Sequence, residues 1–178
     1  MPHATYAFTS HRLRFRRLEP QDSTFFHQLA NGRDYLAFIG DRGIRTEADA
    51  THFFVERIYP GDTQPWLGTY AMVPHDSDTP IGTIGIYTRP SVDVPDLGFA
   101  LLPEYYRKGY TEEAARALLA FAKTRSAEAG TPLKRVAAIA LPHNTASVKL
   151  LEKLGFTYER MLQLPKDSSR LKYFEQAL

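Results

Sequence analysis

The most constraining feature of this sequence is a junction in its middle, where an alternating segment, a basic loop and an amphipathic segment follow one another without a break. Residues 96–102 alternate large apolar side chains with glycine and alanine, which is the period of a half-buried strand. The small residues are expected to leave room on one face of that strand. After a loop that carries Gly109, apolar residues recur at helical spacing until Gly130. A strand that leads directly into a long helix predicts an α/β fold.

The rest of the chain predicts further strands and helices in mixed order. Strands are expected at residues 12–18, 66–73, 81–87, 135–141, 156–164 and 171–174, and helices at about residues 22–31, 46–58 and 144–154. Thr46 and Asp49 have the spacing of a capping box at the start of the second of these helices. No linker or repeat divides the 178 residues, so we take residues 1–178 as one domain with a core at about residues 9–176.

Composition excludes several classes of function. The chain has 22 Lys and Arg residues against 20 Asp and Glu, with a net charge of +2, and the basic residues are spread rather than clustered as in most nucleic-acid binders. It has no cysteine, which removes disulfides, thiolate nucleophiles and iron–sulfur clusters. The six histidines lack the H-x-x-x-H spacing, so no metal site is predicted. No run approaches the roughly 20 apolar residues of a membrane span, so no membrane partner is expected, and the cytoplasm is the expected location.

The loop before the long helix is suited to an anion. A helix N-terminus presents unpaired N–H groups and the positive end of the helix dipole. Arg107 and Lys108 add positive charge, and Gly109 lets the backbone approach a ligand closely. The same residues also suit an ordinary turn with two solvated basic side chains. The sequence contains neither G-x-x-x-x-G-K-[ST] nor G-x-G-x-x-G, which argues against a P-loop enzyme.

Five segments occur in a characteristic order along nearly the whole chain. They are residues 9–16 (TSHRLRFR), 82–85 (GTIG), 97–101 (LGFAL), 144–147 (NTAS) and 151–156 (LEKLGF). Together they resemble the Gcn5-related N-acetyltransferase (GNAT) superfamily, in particular the group that contains the acetylases of ribosomal-protein N-termini. The resemblance implies a single-domain α/β fold whose mixed, mostly antiparallel sheet has splayed middle strands and flanking helices. It also implies acetyl-CoA as the cosubstrate.

The resemblance assigns the diphosphate of acetyl-CoA to the loop before the long helix. The family's Gln/Arg-x-x-Gly-x-Gly/Ala motif falls on Tyr106, Arg107, Lys108, Gly109, Tyr110 and Thr111. Tyr106 replaces the Gln or Arg, and Thr111 replaces the small last residue. Glu112 and Glu113 follow in the first helical turn, where they suit the helix dipole but would repel phosphate. We therefore expect their carboxylates to point away from the loop.

The pantetheine arm is expected to lie along the strand before this loop. The resemblance pairs the arm with the backbone of Phe99 and Leu101, as an added strand would pair. An N–H group of one of these residues would then stabilise the developing oxyanion. Asn144 matches the family's asparagine that contacts the arm, and it equally suits a helix N-cap.

Two residues are candidates for proton transfer. Asp96 stands where relatives often carry a glutamate before the glycine, and we assign it as the general base, acting through water. The alternative is a solvated carboxylate near the start of a strand. The resemblance assigns Ser147 as the acid that protonates the leaving CoA thiolate, and the alternative is a hydroxyl bonded within its own helix. Four aromatic side chains either line an acceptor pocket or belong to the core: Tyr35, Phe38, Phe54 and Trp66.

The sequence thus predicts an enzyme that passes an acetyl group directly from acetyl-CoA to a primary amine. The partner is a small-molecule or peptide amine, with no stable nucleic acid. One alternative is an acyl-CoA-binding module without catalysis, because the usual glutamate is missing and the loop is substituted. Another is an RNA- or ribosome-associated protein, suggested by the pI of about 8.8 and by Arg12, Arg14, Arg16 and Arg17. The acceptor, the preference for another acyl-CoA and the oligomeric state, including a possible homodimer, stay open.

Overall fold

A single eight-stranded sheet organises the computed structural model, which describes residues 5–90, 92–165 and 169–178. The strands are β1 Phe8–Thr9, β2 Leu13–Arg17, β3 Gly68–Pro74, β4 Gly82–Arg89, β5 Val92–Leu101, β6 Arg135–Ala140, β7 Thr157–Gln163 and β8 Arg170–Ala177. The helices are α1 Ser23–Ala30, α2 Arg33–Phe38, α3 Glu47–Phe53, α4 Tyr110–Glu128 and α5 Thr145–Leu154. The predicted α/β class is confirmed.

The strand order is β1-β2-β3-β4-β5-β6-β8-β7, and every neighbouring pair is antiparallel except β5 and β6. These two strands are parallel because α4 crosses over between them. Their pairing is confined to Asp96 with Ala137 and Leu97 with Ala138, so the sheet divides beyond Leu97. This division confirms the predicted splay of the middle strands.

Two cores cover opposite faces of the sheet. On β3, Tyr70 and Met72 belong to the cluster that contains α4 and α5, whereas Ala71 and Val73 belong to the cluster of α1 and α3. Neighbouring strand residues point to opposite faces, so helices pack on both. Local signals account for several helix boundaries: Thr46 and Asp49 form the predicted capping box of α3.

Two features of the fold differ from expectation. Helix α2 was not predicted, because its six residues directly follow the Asn31–Gly32 stop and none of them is buried. The room that the small residues of β5 were predicted to leave is also not open, because the ring of Tyr87 fills the space beside Gly98. A Cβ on Gly98 would lie 3.0 Å from Cε2 of Tyr87, and one on Gly85 would lie 2.6 Å from its Oη. The two glycines, which face each other across β4 and β5, therefore accommodate an aromatic ring.

The four arginines of residues 12–17 all have acidic partners within the chain. Arg12 pairs with Glu113, Arg14 with Asp78, Arg16 with Asp22 and Arg17 with Asp62. The Arg16 pair is buried, and its two N···O contacts measure 2.6 and 2.8 Å. The arginines thus brace the fold, which removes the free basic cluster on which the RNA-binding alternative rested. Within the described ranges, no helix has the length and apolar character to cross a bilayer.

Candidate functional site

The division of the sheet leaves one edge of β5 open. The Leu102 N–H donates to the Ile81 carbonyl at 2.9 Å, in line with the β4–β5 register. In an antiparallel ladder, hydrogen-bonded and non-bonded pairs alternate. The N–H and C=O groups of Phe99 and Leu101 therefore point away from β4, toward the side where pairing with β6 has ended. The structure thus offers the main-chain groups of both predicted residues to an added strand.

The loop that follows β5 ends in a helix start without a side-chain cap. Gly109 is the N-cap of α4 at φ 78°, and, because glycine has no side chain, it cannot accept a hydrogen bond from the first turn as a capping side chain would. Arg107 also has a positive φ, 58°, so two residues of this short loop are left-handed. The first-turn N–H groups, including those of Tyr110 and Thr111, are consequently left for another acceptor. An uncapped N-terminus on a 19-residue helix is suited to an anion.

The basic and aromatic side chains of the loop are held on its flanks. The Lys108 Nζ lies 5.3 Å from the ring centroid of Tyr105. Tyr106, which is 37% exposed, interacts with Asp34 at the start of α2. Burial and this carboxylate raise the pKa of Tyr106 to about 12. The tyrosine in the family's Gln or Arg position is therefore neutral and anchored toward α2.

Arg12 braces the loop from the N-terminal side. Its Nη1 donates to the Lys108 carbonyl at 2.8 Å and its Nε donates to Glu113 Oε2 at 2.7 Å. The guanidinium carbon stands 4.3 Å from the ring centroid of Tyr110. Glu113 Oε1 also accepts from the Arg12 N–H at 2.6 Å and from the Ser10 hydroxyl at 2.7 Å. Burial alone would raise the pKa of Glu113, but these hydrogen bonds and the arginine charge lower it.

The carboxylate of Glu112 also forms ion pairs with basic side chains. Its carboxylate contacts Lys153 at 2.6 Å and Arg116 at 3.1 Å, and the lysine hydrogen bond is the main cause of its lowered pKa. Because Glu112 and Glu113 each hold basic partners on the flanks of α4, their negative charges are compensated next to the loop. That the two carboxylates point away from a bound phosphate stays a prediction, and these contacts on the flanks of α4 agree with it.

Asn144 and Ser147 lie beyond the C-terminal end of β6, the strand from which β5 diverges. The Oδ1 of Asn144 accepts a hydrogen bond from the Ser147 N–H at 3.2 Å, which confirms the predicted N-cap of α5. Ser147 uses its backbone in this cap, and its side chain is half-buried. A contact between Asn144 and the pantetheine arm stays a prediction.

Asp96 is buried where the sheet begins to divide. Only 1% of it is exposed, so the alternative of a solvated carboxylate is wrong. The Nε of Arg89 donates to its Oδ1 at 2.6 Å, whereas its Oδ2 is buried with no hydrogen-bond partner among the described residues. Burial raises the pKa of Asp96, and the Arg89 hydrogen bond and charge oppose that rise. A buried carboxyl with a raised pKa has the character of a general base.

The four aromatic candidates divide between core and cleft. Trp66 and Phe54 belong to the buried cores on either side of the sheet, whereas Tyr35 and Phe38 are half-buried on α2. The Phe38 ring centroid lies 5.7 Å from that of His143, which immediately precedes Asn144. Since Asp34 of the same helix meets Tyr106, α2 contacts the loops that follow both β5 and β6. These two loops belong to the strands that diverge.

A model of the acetyltransferase (GNAT) domain matches residues 12–157. The chain belongs to the GNAT acetyltransferase family. The N-acetyltransferase YnaD of Bacillus subtilis, itself uncharacterised, is 27% identical over 151 residues, which is 85% of this chain and 82% of the relative.

Two solved acetyltransferases share the fold of this GNAT domain. RimL, a ribosomal L7/L12 α-N-protein acetyltransferase, aligns with a TM-score of 0.76 at 15% identity over 98% of this chain and 94% of its own. A spermidine N-acetyltransferase from Vibrio cholerae, in complex with CoA and spermine, aligns with a TM-score of 0.74 at 17% identity over 93% of this chain and 95% of its own.

GNAT acetyltransferases use acetyl-CoA, and the residues of this GNAT domain fit it. The open edge at Phe99 and Leu101 is suited to an extended, amide-bearing arm, and it leads along the chain to the uncapped start of α4 at Gly109, which is suited to a diphosphate. In the part of the chain that the structure describes, no cluster of His, Cys, Asp or Glu could hold a metal ion; His3 lies outside the described residues.

Three residues that adjoin the candidate site were not predicted from the sequence to take part in it: Arg12, Tyr87 and Arg89. Arg12 stands 101 residues before Glu113, and no local pattern predicts such a pair. Arg89 stands seven residues before Asp96 across a hairpin, so a predicted hairpin register is the signal that could have joined them. Tyr87 stands opposite Asp96 on β4, and burial raises its pKa to about 12. Its phenol is therefore neutral, and its ring packs against Gly98 of β5.

Proposed function

We propose that this acetyltransferase passes the acetyl group of acetyl-CoA directly to a primary amine, either the α-amine of a peptide or protein or the amine of a small molecule. The observation that carries the proposal is the open edge of β5 at Phe99 and Leu101, which runs into the uncapped N-terminus of α4. RimL and the spermidine N-acetyltransferase, which share the fold, are named for acceptors of these two kinds.

The residues of the junction would hold acetyl-CoA in two ways. The backbone of Phe99 and Leu101 binds the pantetheine arm, joined by the amide of Asn144. The diphosphate is bound by the N–H groups at the start of α4 and by the loop residues Tyr106, Arg107, Lys108, Gly109, Tyr110 and Thr111. Bound in this way, acetyl-CoA supplies the thioester carbonyl that an amine attacks.

Proton transfer is assigned to Asp96 and Ser147. Asp96 Oδ2 takes a proton from the acceptor's ammonium group, directly or through water, which leaves a neutral nitrogen with a free electron pair. That pair forms the C–N bond to the acetyl carbon, while an N–H of Phe99 or Leu101 stabilises the carbonyl oxygen. As the C–S bond breaks, the Ser147 hydroxyl gives its proton to sulfur. It regains one, through solvent, from the nitrogen.

The chemistry favours an acceptor that loses its proton easily. An α-amine has a pKa of about 7.7 to 8.0, whereas a lysine side chain has one of about 10.4. A single buried carboxylate therefore needs less help to deprotonate a terminal amine. We rank the N-terminal α-amine of a peptide ahead of a lysine side chain for this reason.

The test is a CoA-release assay over a panel of peptides, amino acids, polyamines and other small amines. We expect turnover with at least one amine. Asp96→Asn should lower kcat by about 10²- to 10⁴-fold, the usual contribution of a general base, while leaving acetyl-CoA affinity intact. Asp93→Asn is the matched control, because Asp93 is an exposed carboxylate on the same strand. Ser147→Ala should also slow turnover, and Thr145→Ala, at an exposed position two residues earlier in α5, should not.

Two outcomes would contradict the proposal. If acetyl-CoA binds but no amine of the panel is acetylated, the chain is an acyl-CoA-binding module. If Asp96→Asn and Ser147→Ala both keep full turnover under conditions where chemistry limits the rate, the two proton-transfer assignments are wrong even though the protein is an enzyme.

A further inference from the structure

We propose that Arg89 is a positioning residue for acetyl transfer: it holds Oδ1 of Asp96 so that the carboxylate stays ionised and presents Oδ2 to the acceptor's amine. The inference rests on the proposed function, because it assumes that the acceptor's amine meets Asp96.

An irregularity in the β4–β5 hairpin lets Arg89 reach Asp96. Tyr87 pairs with Asp96 and Arg89 with Val92, so one residue of β4, Thr88, stands opposite three of β5, residues 93–95. Pro95 lies in this bulge, where its missing N–H breaks no regular ladder. With the register shifted, the Arg89 side chain turns back along β5 and its Nε donates to Asp96 Oδ1 at 2.6 Å.

The pair is asymmetric in its exposure and in its hydrogen bonds. The Asp96 side chain is 1% exposed, whereas that of Arg89 is 36% exposed. Arg89 therefore keeps much of its hydration while Asp96 has lost nearly all of its own. Only one carboxylate oxygen is satisfied by the arginine, because Oδ2 is buried with no partner among the described residues. A buried carboxylate oxygen without a donor is a strong acceptor for an ammonium N–H.

Other polar groups near Asp96 do not replace the arginine. From β4, Tyr87 presents a phenol bound to the Thr69 hydroxyl, and Tyr35 of α2 lies near that phenol. From β6, the residue opposite Asp96 is Ala137. Next to Ala137 on β8 is Glu175, whose charge is already paired with Arg135 at 2.8 Å. Arg89 is thus the cation that acts on Asp96 in the described part of the chain.

Burial and Arg89 act on the pKa of Asp96 in opposite directions, so the direction in which the pKa moves without Arg89 can be predicted. Burial disfavours the ionised carboxylate and raises its pKa, and the positive charge of Arg89 favours the ionised form. Without Arg89, the carboxyl would stay protonated up to a higher pH. A protonated carboxyl cannot accept a proton from the amine, so activity on the acid side would be lost first.

The test compares pH profiles of kcat/KM, from pH 5 to pH 10, for the unmodified protein and three variants. Arg89→Met, which keeps the volume of the side chain but removes its charge, should move the midpoint of the acid limb upward by about one pH unit or more. At pH values well below the midpoint, kcat/KM should then fall about tenfold. Arg89→Lys, which restores the charge, should return most of the shift. Arg17→Met is the matched control, because the partly exposed guanidinium of Arg17 also pairs with a mostly buried aspartate, Asp62. Neither Arg17 nor Asp62 is among the groups that affect the pKa of Asp96.

The proposal is overturned if Arg89→Met lowers activity equally at all pH values or leaves the midpoint of the acid limb unchanged. Either result is what a purely structural role of Arg89 would give. It is also overturned if Arg17→Met shifts the limb as far. If Arg89→Met fails to fold by circular dichroism, Arg89→Gln, which retains a donor but no charge, takes its place under the same criteria.

A second readout needs no turnover. The Asp96 carboxyl carbon, assigned by its loss in Asp96→Asn, can be titrated by ¹³C NMR in the unmodified protein and in Arg89→Met. A higher midpoint in the variant supports the inference, and equal midpoints overturn it. If the midpoint is higher in the variant but the protein acetylates no amine, the missing activity refutes the proposed function, and the effect of Arg89 on the charge of Asp96 still stands.

Discussion

Asn144 shows how far a single residue can be predicted from sequence. Its role as the N-cap of α5 was predicted from a local rule, because asparagine favours this position. In the structure its Oδ1 accepts the hydrogen bond from the Ser147 N–H. The environment of Asp96 did not follow in this way. Its burial and its bond to Arg89 depend on the register of a bulged hairpin, which local residue patterns do not specify.

The two roles of Asn144 can be separated by two substitutions. Asn144→Ala removes the cap and should lower the free energy of unfolding by about 1 kcal/mol, whereas Asn144→Ser keeps a capping oxygen and should cost a few tenths at most. Both remove the amide, so both should weaken acetyl-CoA binding. Urea unfolding and isothermal titration calorimetry measure the two effects. Full acetyl-CoA affinity in the stable serine variant would leave Asn144 with the cap alone.

At the scale of elements, the positions of helix α4 and of the loop before it were predicted from the sequence, but the contacts of Arg12 that hold the loop were not. The apolar period and Gly130 located the helix, and the structure has it at Tyr110–Glu128. The brace from Arg12 could not be predicted, because an ion pair between distant segments has no periodic signature. The short α2 was missed for a related reason, since it buries no residue and so carries no apolar stripe.

Two glycines at the ends of α4 provide a matched test of the loop. Gly109 and Gly130 have φ values of 78° and 74°, and a Cβ on either meets nothing closer than 3.4 Å. Alanine at either position should cost about 1 to 2 kcal/mol of stability through left-handed strain. Only Gly109→Ala should also weaken acetyl-CoA binding several-fold, as measured by calorimetry, because its methyl group lies in the loop. Equal affinities for the two variants would argue against a diphosphate at Gly109.

At the scale of the whole molecule, the divided sheet is the feature that joins fold to function. Most strands were located by alternation and turn residues, and the resemblance implied the splay. The point of division, after Leu97 and Ala138, is set by long-range pairing and emerged only with the structure. The same holds for the contacts of α2 with the loops after both diverging strands.

The open edge of β5 makes a prediction for amide hydrogen exchange followed by NMR. Acetyl-CoA should slow exchange at Phe99 or Leu101 about tenfold or more beyond any global effect, because a new acceptor would cover N–H groups that point away from β4. Ala100 is the internal control, since its N–H points toward Thr83 on β4 and already has a strand partner. An equal slowing at all three amides would indicate overall stabilisation rather than an added strand.

The brace between Arg12 and Glu113 also bears on the order in which the molecule is made. The two partners are 101 residues apart, so the loop before α4 leaves the ribosome long after Arg12, which directly precedes β2. Both are present, however, before β6, β7 and β8 have been synthesised. A nascent chain can therefore form the contacts of Arg12 with Lys108 and Glu113 while three of the eight strands are still missing, before the strand that diverges from β5 has been made.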